Sequence, residues 1–126
     1  MIVGIGTDIA RVARIQRALD RWGESFARRV LDARELESFR QSLRPAHMLA
    51  KHFAAKEAVS KALGTGFRQG VTLRQIGVTR DAAGKPLLYF AGRTAELIAA
   101  AGINNAQISL ADEEEYALAF VVLSRD

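Results

Sequence analysis

Phe53-Ala54-Ala55-Lys56-Glu57-Ala58-Val59-Ser60-Lys61 is the stretch around which the rest of the chain is arranged. It lies in a run from Ala46 to Leu63 that has neither proline nor glycine, and its apolar residues recur at helical steps. Met48, Ala55, Val59, Ala62 and Leu63 make an ordinary core stripe. Glu57 and Lys61 are four apart, so they lie one above the other on a second face, with Ala50, Ala54 and, at its edge, Ala58. A strip of alanines lets another backbone or a ligand approach closely. The carboxylate and the ammonium on it suit a metal and a phosphate. They equally suit a surface ion pair that stabilises the helix by about 0.2–0.5 kcal/mol.

The flanks of this helix have clear stops. Pro45 fits the first turn, where its missing N–H costs nothing, and Gly64 fits the C′ position. The glycine-rich segment 64–70, with Thr65, Gly66 and Arg68, follows the helix. A phosphate loop precedes one, so this is not a P-loop. It could still offer N–H groups and Arg68 to a phosphate, or simply connect two elements. Upstream, Asp32-Ala33-Arg34-Glu35-Leu36-Glu37 reads as an N-cap followed by an acidic first turn, opening a helix from 33 to about 42 with Leu36 and Phe39 turned inward. Residues 9–22 read as another helix. Its apolar stripe is Val12, Ile15, Leu19, Trp22 and Phe26, and Arg14, Arg17, Arg21 and Arg28 fall on the opposite side. Gly23 interrupts it. Ile2–Ile5 reads as a buried strand broken by Gly6-Thr7-Asp8, which places Asp8 where strand passes into helix; Thr7 or Asp8 there reads equally as an N-cap. Gly4-x-Gly6 does not complete a dinucleotide motif, because Ile9 stands at the third glycine position.

The second half changes character. Segments 71–73, 76–79 and 86–90 read as strands, with a hairpin turn at Asp81-Ala82-Ala83-Gly84. Thr94–Ala101 reads as a short helix closed by Gly102. Segments 107–110 and 117–123 read as two more strands, joined by the acidic tip Asp112–Glu115. The pattern predicts an α+β fold, an antiparallel sheet with helices packed on it, in one domain spanning 1–126.

Composition narrows the function. The 126 residues are 49% hydrophobic and 25% charged, as in ordinary globular domains. The absence of cysteine excludes disulfides and thiolate metal sites. Neither a signal peptide nor a membrane span is expected, so the expected location is cytoplasmic. The net charge is +4, and the arginines of the first 44 residues outnumber the acids there. That asymmetry predicts an acidic partner: nucleic acid, a phosphorylated ligand or an acidic protein. His47 and His52 are five apart, which is not the spacing of a helical zinc pair. Asp8 and Glu57 are two carboxylates on different elements, as a magnesium site uses, and Lys61 would stand beside the same phosphate. Spacing alone leaves open whether they meet.

Gly4-Ile5-Gly6-Thr7-Asp8 resembles the opening motif of the holo-acyl-carrier-protein synthases, the phosphopantetheinyl transferases of fatty-acid synthesis. Phe53-Ala54-Ala55-Lys56-Glu57-Ala58 with Lys61 resembles their second motif, and Ala62-Leu63-Gly64-Thr65-Gly66 and Gly84-Lys85-Pro86 follow in order. The resemblance spans nearly the whole chain. It implies transfer of the 4′-phosphopantetheine arm of coenzyme A to a serine of apo-acyl carrier protein, releasing adenosine 3′,5′-bisphosphate. It implies Asp8 and Glu57 as magnesium ligands, and Glu57 and Lys61 as catalytic residues. Gly64, Thr65, Gly66, Lys51 and His52 would contact coenzyme A, and Arg14, Arg21 and Arg28 would dock the acidic carrier protein. It implies a homotrimer with active sites between subunits, so that the 64–70 loop and the arginine helix need not face their own Glu57. The chain departs from many members at Gln107 and at Leu110-Ala111-Asp112, where histidines are common. The competing reading is a non-catalytic module whose arginine helix docks nucleic acid. It leaves Asp8, Glu57 and the glycine loop unused, and it lacks exposed aromatics beside the basic face.

Overall fold

A computed structural model describes all of residues 1–126. Strand β1 (Ile2–Arg11) is followed by helices α1 (Val12–Trp22), α2 (Glu24–Val30), α3 (Ala33–Arg40) and α4 (Pro45–Leu63). A single 3-10 turn at Leu73–Gln75 leads into the hairpin of β2 (Ile76–Arg80) and β3 (Pro86–Phe90). Helix α5 (Gly92–Ala100) and the pair β4 (Asn105–Asp112) and β5 (Tyr116–Ser124) complete the chain. The fold is α+β with antiparallel sheets, as expected. One sheet runs β1-β5-β4, and the β2–β3 hairpin is a second. Helix α4 lies against β1 and β5 and fills the centre.

Four expectations need correction. β1 does not stop at Gly6-Thr7-Asp8 but pairs with β5 through Asp8↔Ala119 to Arg11↔Tyr116. The N-cap of α1 is Arg11, with no side-chain cap, so neither Thr7 nor Asp8 caps a helix. Segment 71–73 is not a strand; it is irregular chain leading into the 3-10 turn. Trp22 does not join the core stripe: it is 55% exposed, while Val12 and Ile15 are buried.

The glycines of β1 are there because of α4. A Cβ on Gly4 would stand 1.9 Å from the carbonyl oxygen of Ala62, and one on Gly6 would stand 1.9 Å from that of Ala58. So the alanine strip leaves room for a strand backbone. Ala50, Ala54, Ala55, Ala58 and Val59 are all fully buried, which makes α4 a central helix covered on nearly every side, with no single core stripe. Local caps behave as read. Asp32 and Glu35 form a reciprocal capping box, and Gly64 closes α4 in the left-handed conformation at φ 80°.

Candidate active site

Strand alternation places Asp8. Gly4, Gly6, Asp8 and Ala10 share the face of β1 turned towards α4, while Ile5, Thr7, Ile9 and Arg11 point away. Gly4 crosses α4 at Ala62 and Gly6 crosses it one turn earlier, at Ala58. The next inward residue, Asp8, therefore reaches the turn that carries Glu57. Both carboxylates line one cleft of about 510 Å³ with Arg14, Ile15, Ala18, Phe26 and Phe53.

The electrostatics follow from this meeting. Lys61 Nζ donates to Asp8 Oδ1 at 3.0 Å and to the Thr7 carbonyl at 3.1 Å. The Lys61 side chain is half exposed and that of Asp8 is mostly covered. Glu57 is half-buried beside them. Burial, and then the charge of Asp8, push its carboxyl above the ordinary carboxylate range, against a smaller opposing pull from Lys61. Two carboxylates that repel each other at a cleft wall, with only oxygen donors, fit a hard divalent cation that keeps water or phosphate oxygens as its other ligands. No three histidine, aspartate or glutamate side chains converge anywhere in the chain to make a closed cage.

Other expected residues go elsewhere. Arg14 lines the Asp8–Glu57 cleft of its own chain, although the arginine helix was not expected to need to face it. Arg21 stacks over the exposed Trp22 ring at 4.8 Å, and Arg28 pairs with Glu24 at 3.1 Å. Lys51 pairs with Asp112 at 3.4 Å, and Gln107 donates to Asn105 at 3.0 Å. Gly64, Thr65 and Gly66 do not line the cleft, and their N–H groups are already given to the Lys61 and Ser60 carbonyls of the helix end. That segment therefore does not supply N–H donors to a phosphate.

Sequence reading missed one cluster. His52 is buried, with Nδ1 2.6 Å from Glu35 Oε2. Lys56 is fully buried and donates to Glu35 Oε1 at 2.7 Å, to the Leu73 carbonyl at 3.0 Å and to that of Ile76. Burial pushes the Lys56 ammonium below the usual lysine range, opposed by Glu35. Burial alone would raise the Glu35 carboxyl, but the His52 hydrogen bond and the Lys56 charge outweigh it and hold the group below the ordinary carboxylate range. The available signal was the pairing of a capping-box acid with a lysine inside an otherwise apolar run.

A family model described as the 4′-phosphopantetheinyl transferase superfamily matches residues 4–121. The chain is 56% identical over 123 residues to the holo-(acyl-carrier-protein) synthase of Halorhodospira halophila, covering 98% of each. It superposes with a TM-score of 0.94 on the crystal structure of that enzyme from Neisseria meningitidis, at 45% identity, covering 99% of this chain and 100% of the other. It also superposes on the enzyme from Bacillus anthracis, in complex with coenzyme A (3′,5′-ADP), with a TM-score of 0.83 at 35% identity, covering 100% and 99%.

Proposed function

The chain belongs to the holo-(acyl-carrier-protein) synthases of the 4′-phosphopantetheinyl transferase superfamily, and from that premise we propose that it moves the 4′-phosphopantetheine arm of coenzyme A onto a serine of apo-acyl carrier protein. The observation that carries the reading is the meeting of Asp8 and Glu57 at one cleft, from segments about fifty residues apart in sequence, with Lys61 bonded to Asp8.

In this reading Asp8 and Glu57 would hold magnesium, which would supply positive charge against the pyrophosphate of coenzyme A. The serine oxygen attacks the phosphorus that carries the pantetheine arm. A new P–O bond forms there, and the bond to adenosine 3′,5′-bisphosphate breaks. Glu57 accepts the serine proton directly or through a water it orients. Lys61 is half exposed and can leave Asp8 for the departing phosphate. Arg14 stands in the cleft, and Arg21 and Arg28 stand on the same helical pair, where they meet the acidic carrier protein. Lys51 and the Gly64, Thr65 and Gly66 segment serve coenzyme A from outside their own cleft, the segment through groups other than the N–H donors already spent on the helix end, so we place the site between copies of a homotrimer; His52, buried against Glu35, takes no such part. The exposed Ile5, Ile9, Leu118 and Phe120 on the outer sheet face support such an assembly. No helix is long and apolar enough to cross a membrane, and we place the enzyme in the cytoplasm with its carrier-protein substrate.

The test is the mass of apo-carrier protein incubated with this chain, coenzyme A and magnesium, with and without a chelator. A gain equal to the phosphopantetheine arm, abolished by the chelator, is expected. An unchanged carrier mass under all conditions overturns the reading.

A further inference from the structure

The carboxylate of Glu57 has no hydrogen-bond or ion-pair partner within the chain; beyond the helical backbone bonds, the one bond at this residue runs from Ser60 Oγ to its backbone carbonyl, at 2.7 Å. No partner holds the carboxylate, so the rotation of α4 sets where its side chain starts. Alanine contacts hold that rotation weakly. The strip at Ala58 and Ala62 meets glycine backbone, and such packing is non-directional. Lys61 bonds α4 to β1 from a half-exposed position, and Lys51 pairs with Asp112; the buried directional bonds to α4 lie on another face, at His52 and Lys56, one turn apart.

There Glu35 receives four donors. Oε1 accepts Lys56 Nζ at 2.7 Å and the Asp32 N–H at 3.2 Å; Oε2 lies 2.6 Å from His52 Nδ1 and accepts the Val78 N–H at 3.0 Å. Lys56 extends the clamp to the carbonyls of Leu73 and Ile76. The cluster thus ties α4 to α3, to the 3-10 turn and to β2, and it is inaccessible to solvent at Glu35 and Lys56. α3 is itself braced to the hairpin, because Tyr89 donates to Asp32 Oδ2 at 2.6 Å.

We infer that Glu35, His52 and Lys56 are positioning residues: they fix the rotation of α4 and so aim Glu57, the residue after Lys56, at Asp8. This rests on the transferase reading above. A buried charge cluster is weak evidence for stability, since apolar replacement of both partners is often neutral, whereas breaking one partner strands a charge. A set of bonds aimed in fixed directions does define a helix rotation that small apolar contacts leave loose.

The experiment compares carrier-protein loading, melting temperature and kinetic constants for the wild-type chain, Lys56→Met, Glu35→Gln, the double variant, and Ile98→Ala. Ile98 is buried on α5, which carries no residue of the cleft, and its truncation supplies a matched loss of stability. The double variant is expected to melt above Lys56→Met, because no carboxylate is left without its cation. Its kcat is expected to stay about a hundred-fold down with KM for coenzyme A unchanged, the cost of a catalytic group misplaced by about 1 Å. Ile98→Ala is expected to keep its kcat. If Lys56→Met fails to fold, Glu35→Gln carries the test: at nearly unchanged volume its amide oxygen keeps the donors of one carboxylate oxygen, while its NH2 faces the donors of the other and opens that side of the clamp; it is expected to show a smaller fall in kcat. Wild-type kcat in whichever of Lys56→Met, Glu35→Gln and the double variant folds overturns the inference while leaving the transferase intact. Failure of the wild-type chain to load carrier protein overturns the transferase reading itself.

Discussion

Glu57 is ionised at a cost to the fold, because burial and the neighbouring Asp8 both disfavour its charge. Between the ordinary carboxylate range and its raised folded value, the native state binds more protons than the unfolded state. Stability of the metal-free chain therefore falls as pH rises through that window. Glu57→Gln removes the term: metal-free protein at neutral pH is expected to melt higher than the wild type, and the decline across the window to shrink. Turnover of the same variant is expected to drop by about 10²–10⁴-fold, the usual worth of a positioned proton acceptor. Paired thermal melts and mass-shift assays check both arms; a lower melting temperature refutes the electrostatic account. The sequence showed Glu57 and Lys61 as an i,i+4 pair, yet Lys61 bonds to Asp8 across the chain. Helical spacing could show that two residues share a face, but not what stands opposite that face. Glu35 is the reverse case. Its place in an acidic first turn read as an ordinary cap, and only tertiary packing turns the same carboxylate towards Lys56 and His52. Glu35→Ala strands those two groups in the core and is expected to cost about 3–5 kcal/mol in chemical denaturation.

At the scale of elements, β1 and α4 form the unit that brings the site together. Gly6-Thr7-Asp8 looked like a strand terminator because glycine and aspartate are poor strand formers. The strand continues because its glycines fall at alternate positions, on the one face where a helix backbone approaches within contact. Period two was present in Gly4, Gly6, Asp8 and Ala10, but no large apolar side chain marked it. Gly6→Ala is expected to push β1 away from the Ala58 carbonyl, with an overpacking cost of about 1–3 kcal/mol, and to carry Asp8 away from Glu57. Loss of both melting temperature and turnover is the expected result. Full turnover in that variant would show that Asp8 does not depend on the close crossing. Gly23→Ala is the control: its φ is 59° but a Cβ there meets nothing, so it should cost stability by backbone strain alone and leave the cleft intact.

Across the whole molecule, the two faces of the main sheet differ in kind. The inner face packs Ala117, Ala119, Val121 and Leu123 against α4, all fully buried. The outer face carries Ile5, Ile9, Leu118 and Phe120 at about 40–60% exposure, in register across β1 and β5 through Ile9↔Leu118 and Thr7↔Phe120. Strand alternation was legible in the sequence, but both faces are apolar, so period two could not say which of them is the core. An apolar outer face on a charged molecule calls for cover, and a second copy of the same sheet would supply it with matching chemistry. In a trimer built on this face, the Lys51 and Gly64–Gly66 regions of one copy can serve the Asp8–Glu57 cleft of the next, although within one chain they do not line it. Phe120→Glu places an unpaired charge in the covered face without touching the inner core. Sedimentation is expected to show monomers in place of trimers, circular dichroism to stay native, and carrier-protein loading to fall with assembly. A monomeric variant that loads carrier protein at the wild-type rate would show that each chain holds a complete site. A wild-type chain that sediments as a monomer would remove the assembly altogether.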